Sequence, residues 1–203
     1  MVRWHPLVLD AAAIILAGGK SSRFCGNKAL VEISSQRLID RVVYKLKDFF
    51  TLLVLVTNSP EEYQGLAVEI VCDLIPGKGP LSGIHAGLVA SPYSLNFVVG
   101  CDMPFVSGEL GAFLVERADP RDDAVVPFVN GYAEPLSAVY RKTCIPFIEA
   151  SLLAGKPKVA AFYDQVRVKY VRDEEIVAFG GADCFFNINS REDLKKAFQR
   201  LTK

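Results

Sequence analysis

The chain has 203 residues, 51% of them hydrophobic, with 23 Lys plus Arg against 23 Asp plus Glu. That length predicts one domain, or one large and one small lobe, around a sizeable core. The balanced charge excludes a global basic field for nucleic acid or an anionic membrane, and no run approaches the roughly 20 apolar residues of a spanning helix. The five cysteines, Cys25, Cys72, Cys101, Cys144 and Cys184, form no C-x-x-C pair. Their odd number and wide spacing suit reduced thiols in a cytoplasm, and the segment from Met1 to Pro6 carries no signal-peptide pattern.

Strand-like and helix-like segments alternate through the first two thirds. Ala11 to Leu16 reads as a buried strand that ends in Gly18-Gly19 and a polar loop holding Lys20, Arg23 and Lys28. Arg37 to Phe50 has helical spacing with one broad apolar face. Leu52 to Val56 is a continuous apolar run suited to a strand buried on both sides, and Val68 to Cys72 is a short strand. Gly77 to Gly83 is a second glycine-rich loop, followed by a helix of about two turns. Leu95 to Cys101 is another buried strand, stopped at Asp102-Met103-Pro104 by a residue with no ladder donor. Gly108 to Ala118 reads as a helix and Ala124 to Phe128 as a strand. In the less regular last third, Leu136 to Tyr140 and Gln165 to Val171 read as strands and Thr143 to Leu153 as a helix. Ser190 with Asp193 opens a final helix in the manner of a capping box. This alternation predicts an α/β sandwich of three layers, with a mostly parallel central sheet between helices.

Ligands of open α/β sheets bind at the carboxyl ends of the strands. That rule gathers the loop after Leu16, the Thr57-Asn58 end, Asp73 and Asp102 on one rim. Paired glycines let backbone N–H groups approach a ligand, and the nearby cations make the first loop a candidate phosphate cradle. Its spacing is neither that of a P-loop nor G-x-G-x-x-G. Asp102 either holds a divalent cation beside phosphates or caps the next turn. Asp73 either accepts hydrogen bonds from a base or ribose or is a solvated loop residue. Gly77 to Gly83 is either a close-approach loop or a simple helix-opening turn. Asn187 and Asn189 point to one face of an extended segment and serve either a ligand or the turn. His5 and His85 lack metal-ligand spacing, and the absence of G-x-S-x-G disfavours acyl chemistry.

Taken in order, Leu16-Ala-Gly-Gly19, Arg23, Lys28, Gly79-Pro-Leu-Ser-Gly83, Cys101-Asp-Met-Pro104, Glu134-Pro-Leu-Ser-Ala-Val-Tyr140 and Asn187-Ile-Asn-Ser190 resemble the molybdenum cofactor guanylyltransferases. The resemblance runs from residue 12 to residue 201. It implies a Rossmann-like fold spanning residues 1–203 as a single nucleotidyltransferase domain. Residues from about 11 to 128 would bind the nucleotide and those from about 129 to 203 would face the pterin acceptor. It implies transfer of GMP from GTP to molybdopterin with Mg²⁺, in a cytoplasmic monomer that uses neither nucleic acid nor membrane and is supplied by a cofactor-delivering protein. Leu16, Ala17, Gly18 and Gly19 would line the guanine and phosphate region, Lys28 and Arg23 would contact the triphosphate, and Asp73 would contact the nucleotide. Asp102 would hold the magnesium, and Asn187 and Asn189 would face the acceptor. A molybdopterin cytidylyltransferase, a sugar-phosphate or phospholactate nucleotidyltransferase, and a non-catalytic GTP-binding subunit are the alternatives. The first loop departs from the family pattern R-M-G-x-D-K. Cys25 stands for a glycine and Asn27 for an acidic residue. Asn27 removes a negative charge near the phosphates, which speaks against a second metal or a lysine-orienting role there.

Overall fold

The structure, a computed structural model, describes residues 9–18 and 27–201. The strands are β1 (Leu9–Leu16), β2 (Glu32–Ile33), β3 (Gln36–Arg37), β4 (Phe50–Val56), β5 (Glu69–Val71), β6 (Leu95–Gly100), β7 (Ala124–Val129), β8 (Tyr132–Ala133), β9 (Ser137–Arg141) and β10 (Val168–Arg172). The α-helices are α1 (Leu38–Leu46), α2 (Pro80–Ala90), α3 (Gly108–Glu116), α4 (Ile145–Leu153), α5 (Asp173–Ile176) and α6 (Arg191–Leu201).

Among the described residues the main sheet runs in the order β10-β7-β9-β6-β1-β4-β5, with β8 paired to β7. β1 lies between β4 and β6 and is parallel to both. β5 is parallel to β4, and β10 is parallel to β7. β9 runs antiparallel between β6 and β7. Its first residues therefore start at the edge where the parallel strands end, and the Gly100 amide donates to the Leu136 carbonyl at 3.2 Å.

Alternate residues of the central strands face opposite ways, and two cores result. Ala13, Ile15, Leu55 and Phe97 pack with Ile39 and Val42 of α1, Leu110 and Leu114 of α3 and Ile176 of α5. Ile14, Val54, Val98 and Tyr140 pack on the other side with Leu81 and Ile84 of α2 and Ile148 and Leu152 of α4. These are the three layers that the alternation predicts. A third small cluster joins Ile33 and Leu38 to Ile188 and Ala197, which anchors α6 against the hairpin β2–β3.

Several boundaries differ from the sequence pattern for visible reasons. α1 stops at Leu46 rather than Phe50, because the chain turns at 47–49 and Phe50 pairs with Leu9 as the first residue of β4. Phe49 keeps the helical apolar rhythm for another purpose: it packs where a Cβ on Gly108 would sit, 2.3 Å from its ring. α2 has 11 residues and starts at Pro80, inside the expected glycine loop. Proline is suited to a first helical position, and Gly79 before it has φ 70°, a left-handed conformation that favours glycine. The strand expected from Gln165 starts at Val168, after a 3₁₀ segment over Val159–Gln165. α6 opens after Ser190 with half of the expected capping box, since the Asp193 carboxylate accepts from the Asn189 amide at 3.0 Å instead of from the Ser190 amide. Ser190 Oγ accepts from the Asp193 amide at 3.1 Å and donates to its carboxylate at 2.8 Å.

Candidate active site

Three strand exits converge around β1. The Cys101 amide donates to the Leu16 carbonyl at 3.0 Å, and the Ala17 amide donates to the Val56 carbonyl at 2.9 Å. Leu16 thus ends β1, and Ala17, just past it, stays tied to the end of β4 and is buried. Gly18 is exposed at the edge, with nothing among the described residues within 4 Å of a Cβ placed there. Gly19, Arg23 and Cys25 lie outside the described residues, as does His5.

Lys28 is the first residue of a short 3₁₀ helix, Lys28–Leu30. Its ammonium lies 2.6 Å from Asp102 Oδ2 and donates to Asn189 Oδ1 at 3.0 Å. The two charged side chains are 13% and 24% exposed, so the pair is shielded yet open on one side. The Ile188 amide donates to the Asp102 carbonyl at 3.0 Å. That bond fastens the Asn187–Asn189 segment to the end of β6. Asn187 Nδ2 donates to the Phe185 carbonyl at 3.0 Å, within its own turn. Asn189 is exposed and joins the lysine.

Asp73 is held by Asn58 at the end of β4. Asn58 Nδ2 donates to Asp73 Oδ2 at 2.9 Å, and the Asp73 amide donates to Asn58 Oδ1 at 3.1 Å. Gly83 lies between this pair and β1. A Cβ there would stand 3.0 Å from Leu16 Cδ2 and 3.7 Å from both Asp73 Oδ1 and Val56 Cγ1. The second glycine motif thus works as a close-packing helix face at Gly83, with its loop confined to 77–79. A groove of about 460 Å³ opens beside it, lined by Gly77, Lys78, Pro80, Leu136, Lys158 and Val159 among others.

Asn27 has partners that the sequence did not reveal. Its Oδ1 accepts from the Ala29 amide at 3.0 Å and caps the turn that carries Lys28. Its Nδ2 donates to Glu62 Oε2 at 2.6 Å and to the Tyr63 hydroxyl at 2.7 Å. Neither Glu62 nor Tyr63 stands in any motif; only their closeness to the Thr57-Asn58 strand exit pointed toward them. Burial pushes the Tyr63 phenol up to about 12 and the Cys101 thiol also up to about 12, so both stay protonated at neutral pH. His85 is a buried helix residue whose Nε2 lies 2.8 Å from Glu149 Oε1.

No group of three or more His, Cys, Asp or Glu gathers to hold a metal among the described residues. Asp102 offers a single carboxylate, which suits a magnesium ion that completes its shell with phosphate oxygens and water. Room for that carboxylate comes from Gly100, where a Cβ would fall 2.5 Å from Asp102 Oδ1. The donor set thus fits magnesium bound together with a nucleotide.

Residues 13–175 match the model of the MobA-like NTP transferase domain. A protein of Pelotomaculum thermopropionicum described as a probable molybdenum cofactor guanylyltransferase is 43% identical over 94% of this chain and 93% of its own length. A molybdenum cofactor guanylyltransferase of Desulfosudis oleivorans is 36% identical over 93% of this chain and 95% of its own. Among solved structures, molybdopterin-guanine dinucleotide biosynthesis protein A from Archaeoglobus fulgidus superposes with a TM-score of 0.82 at 30% identity, covering 94% of this chain and 98% of that one.

Proposed function

The chain belongs to the MobA-like NTP transferase family, and we propose that it is a guanylyltransferase that transfers GMP from GTP to molybdopterin, forming the guanine dinucleotide cofactor and releasing pyrophosphate. The observation that carries this reading to particular residues is the meeting of Lys28, Asp102 and Asn189 at the carboxyl rim of the sheet.

In the reaction an oxygen of the molybdopterin phosphate forms a bond to the α-phosphorus of GTP. The bond from that phosphorus to the oxygen bridging to the β-phosphate breaks, and pyrophosphate departs with the electron pair. The attacking phosphate is already ionised at neutral pH, so catalysis needs positioning and charge neutralisation more than a base. Lys28 binds the triphosphate and, with Arg23, offsets the charge on the leaving group. The backbone from Leu16 to Gly19 approaches the base and phosphates closely, and Asp73, oriented by Asn58, accepts hydrogen bonds from the nucleoside. Asp102 would hold Mg²⁺, which supplies further neutralisation of the triphosphate. Asn189 and Asn187 face the acceptor, and their attachment to the β6 end through Ile188 keeps the acceptor side in register with the nucleotide side.

The same reading makes the protein a cytoplasmic monomer that receives molybdopterin from a delivering protein. Its support is that Cys72, Cys101, Cys144 and Cys184 are free thiols. None of the described helices is long and apolar enough to cross a membrane. The deciding experiment is pyrophosphate release by the full chain with molybdopterin and Mg²⁺, comparing GTP, CTP and UTP. Release with GTP alone supports the proposal; a preference for CTP or UTP, or GTP binding without release, overturns it.

A further inference from the structure

Asn27 uses both ends of its amide at once. The oxygen accepts from the Ala29 amide, which shapes the turn that begins with Lys28. The nitrogen donates to the Glu62 carboxylate at 2.6 Å and to the Tyr63 hydroxyl at 2.7 Å. Glu62 and Tyr63 belong to the 3₁₀ segment Pro60–Tyr63 that follows β4. Tyr63 is fully buried, so one wall of this contact is anchored in the core. Glu62 is exposed, and its carboxylate is an acceptor only when ionised. The group opposite it must therefore donate, and the group under Ala29 must accept. An asparagine meets both demands. An aspartate of the same shape would meet the second but would set two carboxylates against each other at hydrogen-bond distance, where like charges disfavour the ionised forms.

We propose that Asn27, clamped by Glu62 and Tyr63, is a positioning residue for Lys28, and that Asn27 and Glu62 form a matched donor–acceptor pair in which neither can change polarity alone. The loss of an acidic residue at position 27 is, on this account, balanced by an acidic residue supplied from the β4 side. The proposal rests on Lys28 as the GTP contact.

The test uses the full chain and steady-state pyrophosphate release, with GTP and molybdopterin varied separately. N27D is expected to raise KM for GTP by about tenfold, the order of one hydrogen bond to a charged group, and to leave KM for molybdopterin unchanged. Adding E62Q to N27D reverses the polarity of the pair, because the new amide donates to the new carboxylate, and is expected to bring KM for GTP back to within about twofold of wild type. Direct repulsion between a carboxylate at position 27 and the phosphates would not be relieved in this way. An unchanged KM for GTP in N27D, or a double variant as impaired as N27D, overturns the proposal. If N27D fails to fold, N27A takes its place: a raised KM for GTP supports the clamp, and an unchanged one overturns it. K28A separates the two levels. Wild-type KM for GTP in K28A removes the premise about Lys28; a defective K28A beside a normal N27D removes only the clamp.

Discussion

Lys28 and Asp102, 74 residues apart in sequence, meet with Nζ 2.6 Å from Oδ2 at the end of the central strand β6. The contact joins the only cation of the first loop within the described residues to the carboxylate proposed as the magnesium ligand. What holds Asp102 in place is mainly backbone. Its carbonyl accepts from Ile188, and the neighbouring Cys101 amide donates to Leu16. Removing the side chain leaves those bonds intact. D102A is therefore expected to keep its circular dichroism spectrum while Mg²⁺-dependent pyrophosphate release falls by about a hundredfold or more. Release near the wild-type rate would show that the carboxylate has another task.

Lys28 is mostly shielded, and a charge-assisted bond to phosphate is worth more in such a place than at an open surface. K28A is expected to weaken GTP binding about a hundredfold, or about 2.7 kcal/mol. Titration calorimetry with GTP and Mg²⁺ gives the answer directly; an unchanged Kd would rule out contact with the triphosphate.

Two glycines of α2 separate packing from site shape. A Cβ at Gly87 would fall 2.4 Å from Cγ2 of Ile14, a fully buried β-branched residue of the central strand. G87A is expected to cost about 2 kcal/mol and lower the melting temperature by about 5 °C. At Gly83 the nearest atom is the tip of Leu16, at 3.0 Å, and a leucine tip can turn aside. Alanine also favours the helix by up to about 1 kcal/mol. G83A is thus expected to melt within about 2 °C of wild type while raising KM for GTP, because it presses Leu16 and Asp73 apart. Equal losses of stability in the two variants would contradict this assignment.

Stability should decline in alkali. Burial pushes the Cys144 thiol from its ordinary 9.0 up to about 12, and burial likewise raises the Tyr140 and Tyr163 phenols. These groups keep their protons in the folded chain and lose them first in the unfolded one. The folded state then binds more protons, and stability falls as pH rises. Their contribution is fully present below about pH 8 and is lost from about pH 9 upward, at up to about 1.4 kcal/mol per pH unit for each group involved. Urea unfolding at pH 8 and pH 10.5 measures the slope. C144A, although less stable at pH 8, is expected to lose less between the two values; an equal or larger loss would mean that Cys144 does not contribute.

The strands that carry the site were legible because Ala11 to Leu16, Leu52 to Val56 and Leu95 to Cys101 are predominantly apolar runs, with a glycine or polar residue soon after each, at Gly18, Thr57 and Asp102. The rim rule then brought Lys28, Asp73 and Asp102 to one edge. The direction of β9 was not legible, since a five-residue strand reads the same in a parallel or an antiparallel sheet. The end of α1 was hidden because Phe49 and Phe50 continue its apolar spacing while serving a turn and a new strand. The partners of Asn27 were hidden for a different reason. Its contact with Glu62 spans 35 residues, and no local pattern records which surface carboxylate meets which amide. Asn187 and Asn189 looked equivalent on an extended segment, yet one amide closes its own turn and the other reaches Lys28.

A lysine ammonium carries three hydrogens, and Lys28 directs two of them to Asp102 and Asn189. One hydrogen remains for an incoming oxygen. A free lysine side chain would surrender up to about 2 kcal/mol of rotamer freedom on meeting a ligand. Here that loss is taken when the chain folds, so the nucleotide arrives at an arm already immobilised, and the partners that immobilise it come from two distant stretches of sequence.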